Sequence, residues 1–220
     1  MKKIGFVGVG IMGKSMVRNL MKAGFEVSIY TRTKSKVEDV IGEGAIWCDS
    51  VAECAKGRDA VISIVGYPKD VIEVYFGPAG ILANADPGTY VIDMTTTSPK
   101  LAVQIFDEAE KLGLHAIDAP VTGGDSGAKA GTLTILAGGK KEDFDTCMPV
   151  FEAMGKNINY EGKAGNGSTS NTITLCQPNT ATQEYCTLLI PEQALTPAIT
   201  VNMNGTDYTY TATQKITTAA

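Results

Sequence analysis

The chain has 220 residues, of which 44% are hydrophobic and 20% charged, and its net charge is −5. That composition is ordinary for a globular protein, and the acidic balance argues against a nucleic-acid partner, whose phosphates call for a basic surface. No apolar run reaches the ~18 residues of a membrane-spanning helix, and Met1-Lys2-Lys3 leads straight into strand-like sequence without a leader pattern, so a cytoplasmic protein is expected.

In chain order, apolar and β-branched runs predict strands at 3–8, 25–30, 59–65, 89–94, 114–118 and 132–137. Helical spacing predicts helices between or after them at 11–23, 34–42, 50–56, 69–75, 99–112 and 141–154. Alternating βα units of this kind imply a mostly parallel sheet covered on both faces. Past Gly167 the composition changes. Residues 168–220 hold one glycine, one basic residue and fourteen threonines. A shift of this size predicts two domains, 1–167 and 168–220, with "GKAGNGSTS" (162–170) as a linker. In the second part, "AITVNMNGTDYTYTAT" (198–213) alternates with period two around Asn204-Gly205, a hairpin signal. "EYCTLLI" (184–190) reads as another strand. Cys48, Cys54, Cys147, Cys176 and Cys186 have no metal-ligand spacing, and their odd number favours free thiols.

Gly8, Gly10 and Gly13 form G-x-G-x-x-G between the first strand and the first helix. In that context the first glycine permits a tight turn, the second lets a pyrophosphate approach, and the third lets helix and strand pack closely. A plain tight βα turn would use the same residues. The expected fold is therefore a Rossmann-type, doubly wound α/β domain followed by a short β-patterned segment. An NAD site places an acid at the end of the second strand to accept from the ribose 2′-hydroxyl. This chain has Tyr30-Thr31-Arg32-Thr33-Lys34 there. The Arg32 guanidinium fork suits a 2′-phosphate, with Thr31 and Thr33 as hydroxyl donors, so the cofactor reads as NADP(H). A solvated surface arginine is the other reading of Arg32.

"GFVGVGIMGKSMVRNLMKAGFEVSIYTRT", "SIVGYPKDVIEVYFG" (63–77), "VIDMTTTSP" (91–99) and "DAPVTGGDSGAKAGTLTILAGG" (118–139) occur in this order. Together they resemble the β-hydroxyacid dehydrogenase family, which includes 3-hydroxyisobutyrate dehydrogenase, tartronate semialdehyde reductase and glyoxylate/succinic semialdehyde reductases. The resemblance covers residues 1–167. It implies NADP-dependent reduction of a small semialdehyde or oxo acid to a hydroxyacid, with a small-molecule carboxylate as substrate. It implies cofactor contacts at Gly8, Gly10, Ile11, Met12, Gly13, Thr31, Arg32, Thr33, Val65, Gly66, Thr95 and Thr96. It implies substrate-carboxylate contacts at Thr122, Gly123 and Gly124, which in themselves also read as a turn after a strand. His115, the only histidine, matches no catalytic motif and is read as a core or edge residue; Asp118 is read as a structural carboxylate at a strand end.

The resemblance also implies a long helix after "GKAGNG", carrying a catalytic lysine and, four residues later, an asparagine, and leading into a helical domain that closes the cleft and forms dimers. Here those positions hold Asn171 and Leu175, and the next lysine is Lys215. Asparagine donates a hydrogen bond but delivers no proton at neutral pH. The tail 168–220 is instead similar to a piece of the fimbrillin-like β-sandwich domains of bacterial surface proteins. Two readings of function stay open. One is an NADP-dependent oxidoreductase of the β-hydroxyacid dehydrogenase type, inactive as this chain. The other is a dinucleotide-binding module joined to an unrelated β segment, without catalysis. The oligomeric state is open under both.

Overall fold

The computed structural model describes residues 1–169 in full and, beyond them, the strands Ala198–Met203 and Thr206–Thr211. The chain divides into two units, Met1–Ser170 and Asn171–Ala220.

Strand β1 (Lys3–Val7) has four consecutive buried residues, as a strand covered on both faces requires. Helix α1 (Ile11–Lys22) turns Gly13, Met16, Val17 and Leu20 inward, the i, i+3, i+4, i+7 spacing of an amphipathic helix. There follow β2 (Glu26–Tyr30), α2 (Glu38–Gly42), β3 (Ile46–Trp47), α3 (Val51–Ala55), β4 (Ala60–Ser63), α4 (Pro68–Phe76), α5 (Ile81–Asn84), β5 (Tyr90–Asp93) and α6 (Pro99–Lys111). The rest of the first unit is β6 (His115–Asp118), β7 (Val121–Thr122), α7 (Gly124–Ala130), β8 (Leu133–Gly139), α8 (Lys141–Met154), β9 (Gly155–Gly162) and α9 (Asn166–Thr169). Helices start at local signals. The Ser50 hydroxyl accepts from the Glu53 N–H at 3.1 Å and that of Ser98 from the Leu101 N–H at 3.2 Å. Pro68 and Pro99 open α4 and α6, where a missing N–H costs nothing.

The nine strands form one sheet in the order β3-β2-β1-β4-β5-β6-β8-β7, with β9 paired to β8. From β3 to β6 every pairing is parallel; β8 runs antiparallel to β6 and β7. Alternate strand residues feed two cores. Ala60 and Ile62 join Met16, Leu20, Phe144 and Phe151 on one face. Val61 joins Tyr75, Ile81, Leu101 and Ile105 on the other. This is the doubly wound, mostly parallel α/β arrangement expected from the sequence. The order reverses between β1 and β4, and in open α/β sheets ligands bind in the crevice beyond the strand ends at such a point.

The segment 162–170 departs from its reading as a linker. As far as Thr169 it is docked. Asp118 Oδ1 accepts from the Gly165 N–H and Oδ2 from the Ser168 N–H, both at 2.7 Å. Gly167 is buried so tightly that a Cβ there would lie 2.3 Å from the Leu136 carbonyl oxygen. Asp118 is thus the structural carboxylate it was read as. His115 stands half-buried at the start of β6, an interior strand, with its ring stacked on Tyr90 at 4.5 Å and its Nδ1 2.8 Å from Asp143 Oδ1, and it does not line the crevice. Cys48, Cys54 and Cys147 are buried free thiols; Cys176 and Cys186 lie outside the described residues. Among those residues no helix is long and apolar enough to cross a membrane.

In the second unit β10 (Ala198–Met203) and β11 (Thr206–Thr211) pair antiparallel, with Met203 opposite Thr206, as the alternation predicts. The Asn204-Gly205 turn, the strand expected at 184–190, Asn171 and Leu175 lie outside the described residues.

Candidate functional site

The loop between β1 and α1 has the geometry the three glycines foretell. Gly8 has φ +99°, and a Cβ there would meet the Ile64 carbonyl oxygen at 2.0 Å. A Cβ on Gly13 would lie 2.3 Å from the Gly8 carbonyl oxygen, which shows how closely α1 crosses the loop. Gly10 differs. It is exposed, and a Cβ there would meet nothing within 4 Å. Space that none of the described residues fills, beside the first turn of a twelve-residue helix with no side-chain cap, is a place for an anion to approach backbone N–H groups. The loop is held by the Gly8 N–H donating to the Tyr30 carbonyl at 3.0 Å and the Gly10 N–H to the Gly8 carbonyl at 2.9 Å.

A cleft of about 680 Å³ opens from this loop at the β1/β4 reversal. It gathers Gly8, Gly10, Ile11, Met12, Gly13, Thr31, Arg32, Val65 and Gly66. Nine of the predicted cofactor positions are therefore neighbours in space. Thr33, Thr95 and Thr96 are not among the lining residues. Thr33 is exposed and precedes a short 3₁₀ turn; Thr96 is exposed. Thr95 is buried and acts from behind, its Oγ1 accepting from the Val65 N–H at 3.0 Å. Its own N–H donates to Asp93 Oδ1 at 3.1 Å, which also accepts from Ser63 Oγ at 3.0 Å. This network stitches the ends of β4 and β5 together below the Val65-Gly66 rim. Burial pushes the Asp93 carboxyl up to about 6, against hydrogen bonds from Thr95 and Ser63 that favour its charged form. Its Oδ2 has no hydrogen-bond partner among the described residues.

Thr122, Gly123 and Gly124 lie at the β7–α7 junction, where Gly123 and Gly124 have φ of +125° and +60°. They do not line the cleft. Asp118, at the end of β6, is also pushed up to about 6, chiefly by burial, while the N–H groups of Gly165 and Ser168 oppose the shift.

Sequence reasoning missed the second wall. It comes from α4 and the turn after it: Asp70, Glu73, Val74 and the run Gly77-Pro78-Ala79-Gly80. Asp70, Glu73, Val74 and Gly77 fall within the motif 63–77, but nothing in it assigned them to the cleft, and Pro78-Ala79-Gly80 follow it. The clue was indirect, since α4 starts at Tyr67-Pro68 immediately after the rim residues Val65 and Gly66. Asp70 reaches Arg32, with Oδ1 3.3 Å from Nη2.

A glycine-loop crevice at the strand-order reversal of a doubly wound sheet defines a dinucleotide-binding α/β domain. Residues 3–162 match the family described as the NAD binding domain of 6-phosphogluconate dehydrogenase, and the chain belongs to that family. It is 54% identical over 166 residues to the "Uncharacterized oxidoreductase YkwC" of Bacillus subtilis, covering 76% of this chain and 58% of that protein. It is 39% identical over 170 residues to the "NAD-dependent L-serine dehydrogenase" of Pseudomonas aeruginosa, covering 77% and 57%. Among solved structures it resembles the Mycobacterium tuberculosis 3-hydroxyisobutyrate dehydrogenase determined with L-serine, with TM-score 0.73 and 33% identity over 76% of this chain and 57% of that one. The β-hydroxyacid dehydrogenase resemblance thus holds for the N-terminal part of the chain. The chain spans little more than half the length of these relatives.

Proposed function

We propose that residues 1–167 form the cofactor half of an NADP-dependent oxidoreductase of the β-hydroxyacid dehydrogenase type, whose substrate is a small semialdehyde or oxo acid. The observation that carries the proposal is the cleft of about 680 Å³ that joins the glycine loop to Arg32. Gly10 leaves the loop open for a pyrophosphate, and among the described residues Arg32 is the one basic residue in the cleft lining, at its β2 end. The bound nicotinamide would supply or accept the hydride. The chain's own residues bind it, and Val65 and Gly66 would flank its ribose with Thr95 holding the Val65 N–H behind them. Thr122, Gly123 and Gly124 are assigned to the substrate carboxylate on the resemblance. Buried free thiols suit a reducing, cytoplasmic setting.

As a polypeptide of residues 1–220, the chain is proposed to bind cofactor without appreciable turnover, with 168–220 standing where the resemblance implies a helical domain. Support comes from Asn171 at the position of the implied lysine. The cofactor assignment is tested by titrating NADPH and NADH fluorescence with the protein. One or two charge-assisted hydrogen bonds to a 2′-phosphate imply tighter NADPH binding by about tenfold, largely lost in Arg32→Ala. Equal affinities, or no response to that substitution, would remove the NADP assignment.

A further inference from the structure

The rule that separates the two dinucleotides inspects the end of β2, where this chain has no acid. The fold brings one in from elsewhere. Asp70, 38 residues further along, sets its Oδ1 3.3 Å from Arg32 Nη2. Its Oδ2 accepts from the Tyr67 N–H at 3.1 Å and completes the capping box that starts α4. The two partners are not equally fixed. The Asp70 side chain is 9% exposed and that of Arg32 is 75% exposed. The carboxylate is therefore held by α4, and the guanidinium is the member that comes and goes. Both line the cleft.

We infer that Asp70 is a cofactor-specificity residue: as the resident counter-ion of Arg32, it restrains the site's preference for a ribose 2′-phosphate over a 2′-hydroxyl. The inference rests on the reading that Arg32 faces the 2′ position. A 2′-phosphate must share or displace the guanidinium that Asp70 contacts, and it does so beside a second negative charge. A neutral 2′-hydroxyl meets neither obstacle. The carboxylate thus weakens one cofactor and leaves the other unaffected. The opposite role, in which Asp70 holds Arg32 in place for the phosphate, fits the exposures poorly. A single 3.3 Å contact on a side chain three-quarters exposed immobilises little, and it leaves the guanidinium fork free to turn to a ligand.

The test is a four-protein set: the unmodified chain, Asp70→Asn, Arg32→Ala and the double variant. Dissociation constants for NADPH and NADH are read by fluorescence titration. Asparagine keeps a side-chain oxygen for the Tyr67 N–H and removes the charge. Removing the charge of a pair whose guanidinium is largely exposed should tighten NADPH by about three- to fivefold and leave NADH within about twofold. In the Arg32→Ala background the same change should move the NADPH/NADH ratio by less than it does with Arg32 present, because only the direct repulsion between carboxylate and phosphate remains and no guanidinium is left to compete for. If Asp70→Asn prevents α4 from starting, Asp70→Gln, which removes the charge and keeps a side-chain acceptor at N3 of the capping box, gives the same reading. An unchanged ratio in Asp70→Asn, or weaker NADPH binding, overturns the inference. If Arg32→Ala lowers the ratio while Asp70→Asn is silent, the NADP assignment survives and the role of Asp70 does not. If Arg32→Ala itself leaves the ratio unchanged, or neither cofactor binds, both fall together.

Discussion

Gly10 and Gly13 stand three residues apart in one motif and answer to different forces. A methyl group at Gly13 would be driven to 2.3 Å from a backbone oxygen, so Gly13→Ala should destabilise the domain by about 1–3 kcal/mol through forced displacement. At Gly10 φ is −81° and a methyl group meets nothing. Gly10→Ala should therefore change stability by less than about 0.5 kcal/mol while weakening NADPH by about tenfold or more, since the methyl occupies the space a phosphate needs. Denaturant melts and a fluorescence titration on the pair separate folding from binding; a Gly10→Ala protein that binds normally would argue against a pyrophosphate there. The buried acids are a second matter at this scale. Asp93 and Asp118 sit at about 6 in the fold, raised from an ordinary value of 3.8. Raised carboxyls mean that the folded chain holds protons the unfolded chain releases. Their contribution is fully present below about 3.8 and is lost as pH climbs through about 6. Asp39, lowered to about 2 by Lys14 and Arg18, and Glu43, lowered chiefly by Arg18, act oppositely and lose their contribution in stronger acid. The chain should thus gain roughly 2–3 kcal/mol on going from pH 7.5 to 5, and Asp93→Asn should remove about half of the gain. A flat urea midpoint across that range would show that these carboxyls are not perturbed.

Among the elements, the legible ones carried their own local signal. β1 and β4 are apolar runs, α1 and α6 are amphipathic, and Ser98-Pro99 announces a helix start. β9, "GKNINYEG", has no such signal, because glycine, asparagine and lysine disfavour strands; it forms by pairing along β8, with Ile135 opposite Ile158. The segment 162–169 escaped for a related reason. Its glycines read as freedom, whereas Gly167 and Gly138 are glycines because two backbones meet there, each leaving no room for a Cβ. The cleft shows the same division. Its glycine loop and Arg32 fall in one continuous stretch of sequence, while Asp70, on α4, meets Arg32 only in the folded cleft. Docking of α9 yields a prediction. Asp118→Ala would leave the Gly165 and Ser168 N–H groups without their acceptor, at a cost of about 2–4 kcal/mol for one buried and one half-buried donor. Their amide hydrogens should exchange slowly in the unmodified chain and fast in the variant. Rapid exchange in both would return the segment to the linker first read there.

At the scale of the whole molecule, the two halves of a hydroxyacid dehydrogenase site make separable demands. Holding a dinucleotide needs a loop, a cleft and a charge at its far end, and residues 1–169 contain all three. Reducing a carbonyl also needs a proton for the developing alkoxide and a wall that fixes the substrate. General acid catalysis alone is worth roughly 10²–10⁴-fold, and loss of positioning compounds it. The resemblance puts the acid at residue 171, where this chain has asparagine. We therefore expect NADPH binding without measurable hydride transfer to glyoxylate, succinic semialdehyde or methylmalonate semialdehyde, at protein concentrations high enough to see a single turnover. Asn171→Lys should restore little, because an ammonium must be aimed as well as present, and aim comes from supporting structure around the residue. Absorbance of NADPH under these conditions gives the answer. Turnover by the unmodified chain would mean that another group delivers the proton, and that the binding and reacting halves of this site are both built within these 220 residues.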